Sequence, residues 1–267
     1  MLCRNFTNSR RFGRVPLRNR ITRKRGGQRP MRANIKKTLH RPHRPHRPQL
    51  PGINVKFVMK RVQRLTEAER KKCNGIISEG FRDGATVDGL DVERDTCIIG
   101  MLGTRVVTFM GVRDPSTDVT RANNDKYLMH TVCTSEKYRG RGLVRQMFHY
   151  VAASPEYKTK SFWLKASNVD EPDKGLNQRS RFKIYSKTGF ALQAGTEIRP
   201  GGETVASVDI NPSRREILYH FAPGSSSAPV RADDMVVDAC YMNSEHQSRG
   251  CVMTATAETV RGFNGRY

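Results

Sequence analysis

The first fifty residues carry 16 Lys and Arg and not one Asp or Glu. A block of that charge repels itself, has few apolar groups to bury, and cannot offset the entropy lost on ordering. The folded part must therefore lie in the other 217 residues, where 32 basic and 25 acidic side chains leave a balance of +7 that a core tolerates. The sequence divides into a disordered basic arm over 1–52, a folded domain over 53–223, and a linker with a poorly ordered tail over 224–267. The arm contains Arg23-Lys24-Arg25 and closes on three His-Arg-Pro triplets from His40 to Pro48. Proline at every third position removes backbone donors and favours extended polyproline II.

Four roles for the arm stay open. It can neutralise phosphates on a nucleic acid or another polyanion, act as a nuclear address, serve as an organellar transit segment, or be a solvated tail without a specific partner. Its histidines lack cysteine or acidic company, so no metal site is expected. Cys3, Cys73, Cys97, Cys133, Cys240 and Cys251 form no CxxC pair and read as reduced thiols of a cytoplasmic or nuclear protein. No apolar run approaches the roughly 18 residues that cross a bilayer, so no membrane partner is expected.

From Val55 the pattern becomes regular. Residues 55–62 read as a strand, and Thr66 with Glu67 and Glu69 starts a helix running toward Phe81. Residues 82–95 are polar. Two β-rich runs, 96–102 and 105–112, surround a Gly-Thr turn and predict an antiparallel hairpin. Strand 127–133, helix 143–153, strand 161–166, helix 178–187, and strands near 190–198 and 215–221 follow. Gly224 to Ser227 looks like a linker, and the residues after it show no clear period.

The chemistry sits where strand 127–133 turns into a helix, in Ser135-Glu-Lys-Tyr-Arg-Gly-Arg-Gly-Leu-Val144. Gly140 and Gly142 permit backbone conformations that a Cβ forbids. Their amides, with those of Arg141 and Leu143, would face outward at the helix N-terminus and hold a pyrophosphate. Arg139 and Arg141 could add charge-assisted contacts. Alone, the two glycines equally suit an ordinary tight turn. They match neither the phosphate loop nor the dinucleotide fingerprint, since Arg145 stands where a third glycine would be.

Lys137-Tyr-Arg-Gly-Arg-Gly-Leu143 resembles the Arg/Gln-x-x-Gly-x-Gly acetyl-CoA signature of the GNAT acyltransferases. Ile184-Tyr-Ser-Lys-Thr-Gly-Phe190 resembles that family's Tyr-x-Lys-x-Gly-Phe helix ending. The resemblance implies an α/β (α+β) GNAT fold, a mixed central sheet whose parallel strands splay, flanked by helices. It implies acetyl-CoA as co-substrate, no metal, and direct transfer to an amine acceptor. Cofactor contacts would come from Val132, Cys133 and Thr134 along the pantetheine arm, from Arg139, Gly140, Arg141, Gly142, Leu143 and Val144 at the diphosphate, and from Asn177.

Tyr185 matches the acid that protonates the leaving thiolate; it equally suits a helix residue packed on the sheet. Lys137 departs from the usual Arg or Gln. The spacing from Asn177 to Tyr185 is one residue too long, which makes Asn168 a rival contact and 169–176 an insertion. The general base stays open among His130, Glu79 and Asp83, the first of which also fits a satisfied buried histidine. Cys133 suits a small buried side chain better than a nucleophile. Two other readings remain: a non-catalytic acyl-CoA-binding module, and a basic nucleic-acid-binding protein with a passenger domain.

Overall fold

The hairpin predicted around Gly103 organises the molecule. In the computed structural model, β2 (Asp95–Leu102) and β3 (Arg105–Arg113) pair antiparallel, with Gly103 at a φ of +59° in the turn. The structure describes residues 53–81, 85–115, 123, 125–167, 178–198, 202–222, 228–235, 237, 240–242 and 250–263. Contacts divide the chain into Met1–Pro48, which lies outside the described residues, and a unit from Gln49 to Tyr267.

On one side of the hairpin lies β1 (Lys56–Arg61), and on the other β4 (Tyr127–Thr134). Between β1 and β2 runs α1 (Glu67–Gly80), whose start is a complete capping box: Thr66 Oγ1 accepts from the Glu69 amide, and the Glu69 carboxylate accepts from the Thr66 amide. After β4 come α2 (Leu143–Ala153), β5 (Ser161–Ser167) and α3 (Gln178–Ser186). Gly189, at a φ of +92°, ends α3. The Phe190 amide donates to Tyr185 O at 3.1 Å and the Gly189 amide to Ser186 O at 3.0 Å, a Schellman closure that explains the Gly-Phe ending.

The remaining chain forms β6 (Ala191–Leu192), β7 (Thr196–Ile198), β8 (Glu203–Asn211), β9 (Glu216–Phe221), β10 (Val230–Arg231), β11 (Cys240–Met242), β12 (Gly250–Thr256) and α4 (Ala257–Phe263). The main sheet is ordered β1-β2-β3-β4-β5-β12-β6, with β4 and β5 its parallel pair among the described residues. A second sheet is ordered β10-β9-β8-β7-β11.

The two faces of the main sheet bury different cores. On one, Met110, Met129, Leu164 and Met253 from the strands meet Met147 and Phe148 of α2, Phe182 of α3 and Val260 of α4. On the other, Cys97, Ile99, Phe109 and Cys133 meet Cys73, Ile76 and Ile77 of α1. Helix α4 is fastened to α2 by Arg261, whose guanidinium donates to Ala152 O at 2.7 Å and Lys158 O at 2.8 Å. Arg145 Nη2 donates to Phe263 O at 2.5 Å.

Three expectations are corrected. The domain does not stop at 223 with a loose tail beyond it, because β12 pairs with β5 along seven residues and with β6 at two. Its inward residues Cys251, Met253 and Ala255 are buried and fill the centre of the sheet. The cysteines are not all reduced: Cys240 and Cys251 form a disulfide that links the second sheet to the main one. Asp95 does not belong to the polar stretch before the hairpin but opens β2, fully buried. Of the other cysteines, Cys73, Cys97 and Cys133 are free thiols, and Cys3 lies outside the described residues, as does the linker at 224–227.

Candidate active site

The parallel pair fails to stay paired. Strands β4 and β5 register only at Tyr127 with Phe162 and Leu128 with Trp163, although β4 continues to Thr134 and β5 to Ser167. The departure coincides with a bulge: Gly111 faces His130, yet Phe109 faces Cys133, so Thr131 and Val132 stand opposite one residue of β3. Thr131 has a φ of +50° there, a conformation that costs a β-branched residue energy and persists only where its surroundings enforce it. A bulge bends its strand, and here the bend turns β4 away from β5.

Beyond the bulge, β4 is held to β3. Thr108 Oγ1 donates to Cys133 O at 2.8 Å and lies 3.0 Å from Thr134 Oγ1, and the Ser135 amide donates to Val107 O at 3.0 Å. Strand alternation then turns the main-chain groups of Val132 and Thr134 away from β3. A cleft lined with peptide groups on one wall suits an arm rich in amides, which is what pantetheine is.

The opening leads to the glycine turn. Gly140 and Gly142 have φ values of +74° and +73°, so both need the left-handed region. A Cβ built on either glycine meets nothing within 4 Å, so the space above them is clear. Gly142 is the N-cap of α2, no side chain caps the helix, and its first turn holds no acid. The leading amides of an eleven-residue helix and its positive dipole end therefore have neither a capping side chain nor a neighbouring acid. That arrangement fits the diphosphate of coenzyme A. Leu143 is buried and anchors the turn, whereas Val144 is half-buried beside it.

The two arginines also shape the turn. Arg139 Nε donates to Thr134 O at 3.3 Å, and the Arg141 guanidinium lies 5.6 Å from the centre of the Tyr138 ring. Lys137 is exposed. Tyr185 of α3 sets its ring edge against Phe148 of α2, with centroids 6.1 Å apart. Burial raises its phenol above the ordinary value, against the opposing pull of Arg181. A phenol that keeps its proton at neutral pH suits a proton donor. Burial pushes the Cys133 thiol up to about 12, which suits a small buried side chain.

His130 occupies the vertex of the splay, two residues past the last β4–β5 pair. Its Nε2 lies 3.3 Å from Asp95 Oδ1, and its Nδ1 3.0 Å from Thr131 Oγ1. Glu79 is exposed near the end of α1. Asp83, Asn168 and Asn177 lie outside the described residues. Sequence reasoning missed Asp95, Arg113, Thr108 and Gly111. Pairing the hairpin outward from Gly103 would set Asp95 opposite Val112; a register shift between Gly100 and Met101 brings it opposite Arg113 instead, so the pair left no signal in the sequence.

No family model matches the chain, and no curated protein matches it. Similar solved structures include an acyl-CoA N-acyltransferase from Pseudomonas aeruginosa, at 18% identity over 55% of this chain and 93% of that one, with a TM-score of 0.40. An aminoglycoside 6'-N-acetyltransferase complexed with coenzyme A is similar at 10% identity over 75% of this chain and 97% of its own, with a TM-score of 0.43. Escherichia coli ElaA is similar at 14% identity over 55% of this chain and 95% of its own, with a TM-score of 0.37. The topology itself gives the fold class: an α/β chain with a mixed sheet, a splayed parallel pair, a bulge at the splay, and a left-handed glycine turn opening the next helix, as the resemblance to the GNAT fold implies.

Proposed function

We propose that this protein is an N-acetyltransferase that moves an acetyl group from acetyl-CoA to a primary amine by direct attack in a ternary complex. One observation carries the reading: the splay between β4 and β5 runs into an uncapped helix N-terminus whose glycines leave the space above them clear. A splay bordered by the main chain of β4 and ending in an anion site fits an amide-linked arm with a diphosphate.

Acetyl-CoA supplies an activated thioester. The chain's residues supply the rest: the turn 139–144 would hold the diphosphate, Val132 and Thr134 would align the arm, and Tyr185 would protonate the leaving thiolate. The acceptor is an amine of a protein or of a small molecule. No helix among the described residues is long and apolar enough to cross a membrane.

The test is mass spectrometry of an amine panel, including basic proteins and polyamines, incubated with the full chain and acetyl-CoA. Acetylated product with stoichiometric release of coenzyme A is expected. Tight binding of acetyl-CoA without thiol release would replace the enzyme by a binding module, and absence of binding would remove the cofactor site as well.

A further inference from the structure

Four features converge on His130. Asp95 is fully buried and receives Arg113 at both carboxylate oxygens, Nε to Oδ1 at 2.7 Å and Nη2 to Oδ2 at 2.8 Å. Its Oδ1 also lies 3.3 Å from His130 Nε2. Gly111 backs onto the imidazole, where a Cβ would stand 2.5 Å from Cε1 and 2.7 Å from Nε2. Any other residue on β3 would displace the ring. Thr131, in its left-handed backbone, brings its hydroxyl 3.0 Å from Nδ1.

We infer that Asp95, Gly111 and Thr131 position His130 as the general base for the incoming amine. The inference rests on the acetyltransferase reading above. His130 Nε2 is buried and makes no hydrogen bond, so its 3.3 Å approach to the Asp95 carboxylate is electrostatic; that negative charge favours the proton on Nε2 and leaves Nδ1 as the acceptor. Thr131 belongs to the bulge from which β4 leaves β5, so the hydroxyl beside Nδ1 stands where the splay begins. Burial by itself would raise the Asp95 carboxyl; the bonds from Arg113 and the Asp91 amide, with His130 close by, outweigh it and hold it well below the usual carboxylate range. The charge that remains stabilises an imidazolium once it forms. Asp95 from β2 and Arg113 from β3 are the charged groups facing the ring, Cys97 and Cys133 lie on the same face of the sheet, and Lys165 of β5 is exposed across the splay.

The step balances. One proton of the ammonium passes through the Thr131 hydroxyl to Nδ1, the freed amine forms the N–C bond, and the C–S bond breaks. The thiolate takes the Tyr185 proton, the second amine proton returns to that tyrosinate, and the imidazolium releases its proton to solvent.

The experiment measures kcat against pH, and acetyl-CoA affinity by calorimetry, for the full chain with an amine it is shown to acetylate. His130→Gln should lower kcat by about 100-fold or more while the acetyl-CoA Kd stays within about twofold. His130→Ala should regain part of its turnover when imidazole is added. Thr131→Ser should retain most of the activity that Thr131→Ala loses. Asp95→Asn should lower kcat while leaving acetyl-CoA affinity unchanged; if that variant does not fold, imidazole rescue and the Thr131 pair decide the matter. Turnover of His130→Gln within about threefold of the parent, or Thr131→Ala equal to Thr131→Ser, overturns the assignment alone. A parent chain that binds acetyl-CoA and acetylates no amine overturns the acetyltransferase reading, and this inference with it.

Discussion

Strand β5 has two neighbours and keeps only one of them. Toward β12 it is paired along its whole length, Ser161 with Thr256 through Ser167 with Gly250. Toward β4 it is paired at two positions and then left. A strand open on both sides would expose two rows of unmatched peptide groups. Here the full ladder on one flank holds β5 in place, and the absence of a ladder on the other becomes a cleft. The opening therefore depends on a strand that never touches it.

The sharpest way to break this comparison is to attack the closed flank. Met253 is fully buried in β12, and Met253→Asp should cost about 4 kcal/mol or more through an unpaired buried carboxylate. Denaturant unfolding checks this, and a midpoint near the parent's would show that β12 does not hold the sheet. The open flank should answer differently. Gly142→Asp places a carboxylate at the anion site and a side chain at a φ of +73°. It should weaken acetyl-CoA at least about 100-fold, about 3 kcal/mol, with the unfolding transition much less affected; calorimetry beside a melt separates the two.

Smaller effects sharpen the picture. Replacing Cys240 and Cys251 by Ser removes the tie between β11 and β12 and should cost about 2–3 kcal/mol, with the same loss in the parent on adding reductant. The smallest effect concerns acid. The Asp95 carboxyl is depressed in the folded state, so its contribution is present above the unfolded value of about 3.9. It is lost as pH falls through the folded value, where the unfolded chain binds the extra proton. Unfolding free energy measured from pH 5 downward should therefore fall less steeply for Asp95→Asn than for the parent.

How far the sequence showed this depended on whether the signal was local. The α1 capping box is Thr66 and Glu69, three residues apart, and the hairpin turns at Gly103; both were readable because the partners are close in the chain. The glycine turn was readable for the same reason. Strand β12 was not, since Cys251, Met253 and Ala255 are small or flexible, and their burial depends on Phe182, Phe190 and Phe263 filling the volume around them. The exposed strand β8 was missed too, because only Val205 of its nine residues is buried. The Asp95–His130 contact joins β2 to β4 across β3. Nothing in the neighbourhood of either residue announces it.

The partner that secures β5 arrives late. Residues 161–167 leave the ribosome well before residues 250–256, and the intervening chain builds β6 to β11. Until then, β5 presents the edge that β12 will occupy, open to any extended chain nearby. Closing a contact over that separation is slow, so a translation pause within this stretch would prolong the exposure. Synthesis, more than the finished fold, is where this protein is most exposed to aggregation.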